Sequence, residues 1–270
     1  MTPFGRPRDV ARRLAETEPV VVMSRGHSGT RVLAWALDAL GVRMGTLAHE
    51  PAGDCQDRRF TGTIKRIAMA RVSVPVTAPP RARDLRRFRR AAWHYLEWLE
   101  HPRGPWGWKF PETYLIGGVV DAVFPRARHL HMIRDGRDVA FKAHLTDDEG
   151  RRLGRRLLGH LGLLGRPRHV QAARSWAFQL RRFGALRPLL GGRVHRLTFE
   201  DLCRSPHETM TRVADFLEVP MTDACRRYLD ANVRVGKVAQ HRNEDPDVVA
   251  EVESHIGDTL ETWGYVPDDA

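Results

Sequence analysis

Residues Ser24 to Thr30 read Ser-Arg-Gly-His-Ser-Gly-Thr, and Arg31 follows. Gly26 and Gly29 have no Cβ, so the backbone there can approach an anion closely. Ser28 and Thr30 supply hydroxyl donors, Arg25 and Arg31 bring full positive charges, and His27 can add a proton. Such a set holds phosphate or sulfate oxygens. About a hundred residues later the chain runs Arg134-Asp135-Gly136-Arg137-Asp138-Val139-Ala140. An arginine fork in a turn beside a helix start suits a bidentate phosphate contact; a surface salt-bridge cluster would use the same residues. Trp108-Lys109-Phe110-Pro111 places a lysine among aromatics, where a cation can stabilise charge that develops during group transfer.

These residues need elements to aim them. Val20–Met23 is a continuous apolar run of strand length, which suits a strand covered on both faces. Val32, Leu33, Ala36, Leu37 and Leu40 form one helical stripe, and Gly41 ends it. Between the two, a turn points backbone N–H groups and a helix dipole at one spot. The pattern predicts a short strand at 42–46 and a helix over 112–124 that stops before Pro125. It predicts a strand at 129–133 and a helix beginning over 139–144. It also predicts a strand at 194–197, and a helix after Pro206 with Met210, Val213, Ala214 and Leu217 on one face. Strands alternating with helices predict a three-layer α/β/α class with a mainly parallel central sheet. The chain reads as a single domain over 1–270, with helical additions near 81–100 (arginine-rich, amphipathic) and 147–167 (a mobile flap); either can be solvated surface or cover an acceptor site.

The first turn is not a nucleotide-kinase loop, which needs G-x-x-x-x-G-K-[ST]. No lysine occurs before Lys65. Instead, Ser28-Gly29-Thr30 after a strand, with a basic residue just before, resembles the 5′-phosphosulfate loop of sulfotransferases that use PAPS (3′-phosphoadenosine 5′-phosphosulfate). That family usually has Lys where this chain has His27, so the resemblance passes the role of that Lys to His27 or Arg25. The Arg134 turn resembles the family's R-x-x-[KR]-D-V-A motif for the 3′-phosphate. Lys142 stands where the family has Ser, eight residues on. Phe199-Glu200-Asp201-Leu202 with Pro206 resembles a Y-E-D-L…P segment, whose aromatic can stack on adenine. Trp108-Lys109-Phe110-Pro111 resembles a Lys-x-Pro segment that lies near the sulfuryl group. A basic stretch with Arg234, Lys237, His241 and Arg242 resembles, loosely, a loop that closes over the donor. The resemblance implies a P-loop-NTPase-like fold and sulfuryl transfer from PAPS, with the bisphosphate PAP as product and no required metal. The acceptor it implies is a hydroxyl or amine on a small molecule, carbohydrate or lipid.

The implied general base is a Glu or His shortly after the first helix. Glu50 is favoured, with His49, Asp54 and Asp57 as substitutes. A carboxylate in a closing, partly dry pocket becomes a better base because burial raises its pKa.

Composition narrows the rest. The 270 residues carry a formal net charge of +11, and 40 of the 44 basic residues are arginine. Most of that charge reads as compositional background, though it is compatible with an anionic ligand. No apolar run nears the ~20 residues needed to span a bilayer, and no apolar stretch follows the N-terminal arginines as in a secretory leader. Cys55, Cys203 and Cys225 are too scattered for a disulfide framework or a zinc site, so a cytoplasmic location is expected. Two other readings compete. An ATP-dependent phosphotransferase lacks its loop lysine. A nucleic-acid-binding module lacks aromatics interleaved with the basic runs, and no nucleic-acid partner is expected. The sequence leaves the acceptor and the oligomeric state open.

Overall fold

The computed structural model describes residues 7–45, 55 and 57–265. Helix α1 (Pro7–Glu16) precedes strand β1 (Val20–Met23), and α2 (Thr30–Ala39), α3 (Arg58–Arg71) and α4 (Ala82–Trp98) follow. Strand β2 (Gly107–Lys109) leads into a 3₁₀ turn over Pro111–Ile116, then α5 (Gly117–Val123) and β3 (Arg128–Ile133). Next come α6 (Gly136–Ala140), a 3₁₀ turn at Leu145–Asp147, α7 (Arg152–His160), α8 (Arg168–Leu190) and β4 (Val194–Thr198). The chain closes with α9 (Phe199–Arg204), α10 (Pro206–Leu217), α11 (Asp223–Asn232) and α12 (Pro246–Thr262). The strands form one parallel sheet in the order β2-β1-β3-β4.

The sheet's two faces follow from the period-2 alternation of strand side chains. Val20 and Val22 pack with Leu130 and Met132 against α2, α10 and α11. Val21 and Met23 face the opposite layer, where Phe60, Phe88, Tyr95, Trp108 and Phe124 form an aromatic core with α3, α4 and α5. Helices therefore cover both faces, and the three-layer α/β/α class holds. Every residue of β1 is buried, as its unbroken apolar run requires.

Three local expectations change. The helix expected over 112–124 divides into the 3₁₀ turn and α5, because Gly117 and Gly118 sit against Leu186 and the Val76 carbonyl, where a Cβ would overlap. The strand expected at 42–46 is reduced, in its described part, to a single bridge between Arg43 and Trp106. The helix expected over 139–144 ends at Ala140. Its next carbonyls are taken by distant residues: the Lys142 carbonyl accepts from Arg25 at 3.0 Å and the Ala143 carbonyl accepts from His27 Nε2 at 2.7 Å. The added segment near 81–100 forms α4. In the one near 147–167, α7 buries Leu153, Leu157 and Leu158.

Candidate active site

The turn after β1 opens α2 with no side-chain cap: Gly29 takes the N-cap position at φ 86°. The first N–H groups of a helix have no intrahelical partner, so those of Thr30 and Arg31 are left for a ligand anion. His27 is also left-handed, at φ 67°. Gly26 and Gly29 are both required by close approach. A Cβ on Gly26 would fall 2.0 Å from the His144 ring, and one on Gly29 would fall 2.3 Å from Phe199.

A cavity of about 470 Å³ opens on this turn. Gly26, His27, Gly29, Thr30 and Arg31 line one side, and Lys109, Arg134, His144, Asp148 and Arg168 are among the residues that line the rest. The two turns seen in the sequence thus meet at one cavity, and Lys109 joins them from the end of β2.

Arg134 is fixed on several sides. Its Nε and Nη2 donate to Asp138 Oδ2 at 3.2 and 2.8 Å, and Nη2 also donates to the Lys237 carbonyl at 2.7 Å. Nη1 reaches the His27 carbonyl at 3.4 Å, which leaves one of its N–H groups for a ligand. The guanidinium lies 4.4 Å over the Phe199 ring. Burial pushes the Asp138 carboxyl upward, but hydrogen bonds from His241 and Arg134 outweigh it and bring the pKa down to about 2. Glu200 accepts the Asp135 N–H at 2.9 Å and so holds the backbone of the same turn.

Both cavity histidines have lowered pKa values. Partial desolvation, with Arg25 and Arg31 nearby, lowers the His27 pKa, and its Nε2–H is committed to the Ala143 carbonyl. His144 is held well below the usual range by burial and by Arg25, His27, Lys109 and Lys65. Its Nδ1 lies 2.8 Å from Thr146 Oγ1 and 3.3 Å from the Thr146 nitrogen, which turns Nε2 away from that loop.

Several expected ligand contacts are placed elsewhere. Arg25 is fully buried and lies off the cavity, its Nε 3.1 Å from Asp147 Oδ2. Ser28 is buried and also off the cavity. The Lys142 side chain lines a neighbouring depression with Arg168 and His169. Phe199 is a platform beneath Arg134, packed among α2 and α10 residues, and does not line the cavity. Arg242 faces another depression, beside Arg137 and Tyr265. The 234–242 stretch does reach Arg134, but through the Lys237 carbonyl rather than a basic side chain. Asp57 caps α3 by accepting from the Arg59 and Phe60 N–H groups and lies off the cavity. Glu50, His49 and Asp54 lie outside the described residues.

His144 and Arg168 escape a reading from sequence. The only available signal for His144 was its place ten residues after Arg134, on a segment that reads as helix.

Residues 19–223 match the model of a sulfotransferase family. A search of curated protein sequences finds no match. Among solved structures, the sulfotransferase domain of the Synechococcus PCC 7002 olefin synthase superposes with a TM-score of 0.57 at 16% identity, covering 93% of this chain and 96% of that one. Sulfotransferase STF1 of Mycobacterium tuberculosis H37Rv gives 0.57 at 15% identity, covering 92% and 78%. Mouse sulfotransferase SULT7A1, solved in complex with PAP, gives 0.51 at 11% identity, covering 93% and 89%. At these identities the likeness is one of fold, the P-loop-NTPase-like α/β fold that the family resemblance implied. With the family model matching most of its length, the chain belongs to the sulfotransferase family.

Proposed function

We propose that the protein transfers a sulfuryl group from PAPS to a hydroxyl or amine on a small molecule, carbohydrate or lipid, in the cytoplasm. One observation carries the reading: the uncapped start of α2 and the Arg134 guanidinium border the same cavity, at a spacing set by the Arg134–His27 contact. The donor's chemistry is an in-line displacement. The acceptor oxygen or nitrogen bonds to sulfur, and the sulfur–oxygen bond to the 5′-phosphate breaks with its electron pair going to that phosphate.

Each residue has a part. The N–H groups of Thr30 and Arg31 hold the 5′-phosphate and take up the charge that develops on it. Lys109 and the Nε2–H of His144 donate to oxygens of the moving group. Arg134 offers its remaining N–H to the 3′-phosphate. Glu50 takes the acceptor's proton. The fit rests on donors rather than on a cation site.

Thermal melting with PAP in magnesium-free buffer tests the reading. Stabilisation by micromolar PAP is expected. Stabilisation by ATP with Mg²⁺, and none by PAP, would transfer the assignment to phosphoryl transfer.

A further inference from the structure

Away from the cavity, α3 and α4 enclose a second cleft of about 550 Å³, lined by Arg59, Thr63, Arg66, Arg87, Arg90 and His94. The spacing explains the alignment. Arg59, Thr63 and Arg66 follow i, i+4, i+7 on α3, and Arg87, Arg90 and His94 follow i, i+3, i+7 on α4, so each set shares one face. Cationic faces that oppose one another repel.

Few carboxylates lie on these two helices to relieve that repulsion, and Glu97 pairs with His94 Nδ1 at 3.8 Å. Helix α3 contains no acidic residue. Helix α4 has only Asp84 and Glu97. Asp84 is buried in its first turn, and Glu97 accepts from Trp93 Nε1 at 2.8 Å. Arg59, Arg66 and Arg87 are exposed and make no ion pair with any described residue. The cleft is nevertheless rigidly built. Beneath it Phe60 stacks on Tyr95 at 4.6 Å and on Phe88 at 5.7 Å, which locks the two helices together.

We infer that the α3–α4 cleft is an anion-binding site, separate from the transfer cavity, for a ligand carrying several phosphate or sulfate groups. Guanidinium forks on both walls accept such oxyanions in bidentate fashion, and the Thr63 hydroxyl adds a neutral donor.

Calorimetric titration with inorganic tripolyphosphate tests the site, with the transfer cavity first saturated by PAP. Binding is expected in that state, and it should weaken at least about tenfold in the Arg59→Gln/Arg87→Gln variant, since each decade is ~1.4 kcal/mol and several charge-assisted bonds are lost. The Arg152→Gln/Arg155→Gln variant removes the same charge from α7, and tripolyphosphate affinity should stay within about twofold of the parent chain. Equal losses in the two variants would overturn the site, because general surface charge would then explain binding. Absence of tripolyphosphate binding would overturn it as well, and so would retention of phosphatidylglycerol vesicles without tripolyphosphate affinity. Melting curves of both variants verify folding. Failure of PAP to bind would instead count against the transfer reading and leave the cleft result standing.

Discussion

Arg134 and Phe199 form a cation–π pair at 4.4 Å, and one edge of the same ring fills the space that Gly29 leaves by lacking a Cβ. One aromatic thus sets the height of both anion-binding turns. Desolvated pairs of this kind contribute about 1–2 kcal/mol.

Replacing Gly29 with Ala drives a methyl into the Phe199 ring at a left-handed position. The expected outcome is a loss of ~1–3 kcal/mol in stability and loss of PAP binding. Urea titration and calorimetry on the same sample check both.

Arg134→Lys keeps the charge but loses the fork that joins Asp138, the Lys237 carbonyl and the cavity. PAP affinity should fall at least about tenfold while the fold survives. Arg134→Ala should fare worse, because it strips a paired cation from the buried Asp138 carboxylate. Unchanged PAP affinity in Arg134→Lys would remove Arg134 from the ligand.

Asp147→Asn leaves the fully buried Arg25 guanidinium without its counter-charge. A cost on the order of 3 kcal/mol is expected. The double change Arg25→Met/Asp147→Leu should recover part of it, since a buried pair is replaceable by apolar packing. Denaturant midpoints measure both.

His129 and His131 on β3 are buried, and burial lowers each pKa to about 3. The unfolded chain binds protons near pH 6.5, whereas the folded chain resists them. Stability is therefore complete above about pH 6.5 and declines as pH falls toward 3, by up to ~1.4 kcal/mol per pH unit for each histidine. Neither ring nitrogen of His129 has a hydrogen-bond partner. His129→Leu should thus flatten the acid decline without lowering stability at pH 8. Urea midpoints at pH 8 and pH 5 test this.

Glu50→Gln should leave PAP affinity intact and slow label transfer from PAPS at least about a hundredfold, the range of a general base. Full turnover in that variant would hand proton removal to another residue.

The sheet and both turns were legible because their signals are local. An unbroken Val20–Met23 run, a glycine-rich turn and a stripe on α2 are read within one stretch of chain. What escaped was set by contacts between distant segments. Arg25 and His27 capture the carbonyls of Lys142 and Ala143, more than a hundred residues away, and this ends a helix that periodicity would continue. The same capture swings His144 onto Gly26. Arg25 and Phe199 carried the right residue types for ligand contact, yet burial turned each into a support. Glu200 shows how: it grips the Asp135 N–H and Tyr265, so a segment that reads as cofactor-facing serves as scaffolding.

The crossed capture of main-chain carbonyls between residues 25–27 and 142–143 ties the two shores of the cavity together before any guest arrives. Neither shore can drift without dragging the other. Fastened in this way, the pocket keeps its shape in solution, so docking should be quick and should leave the surrounding amide-exchange pattern almost unaltered.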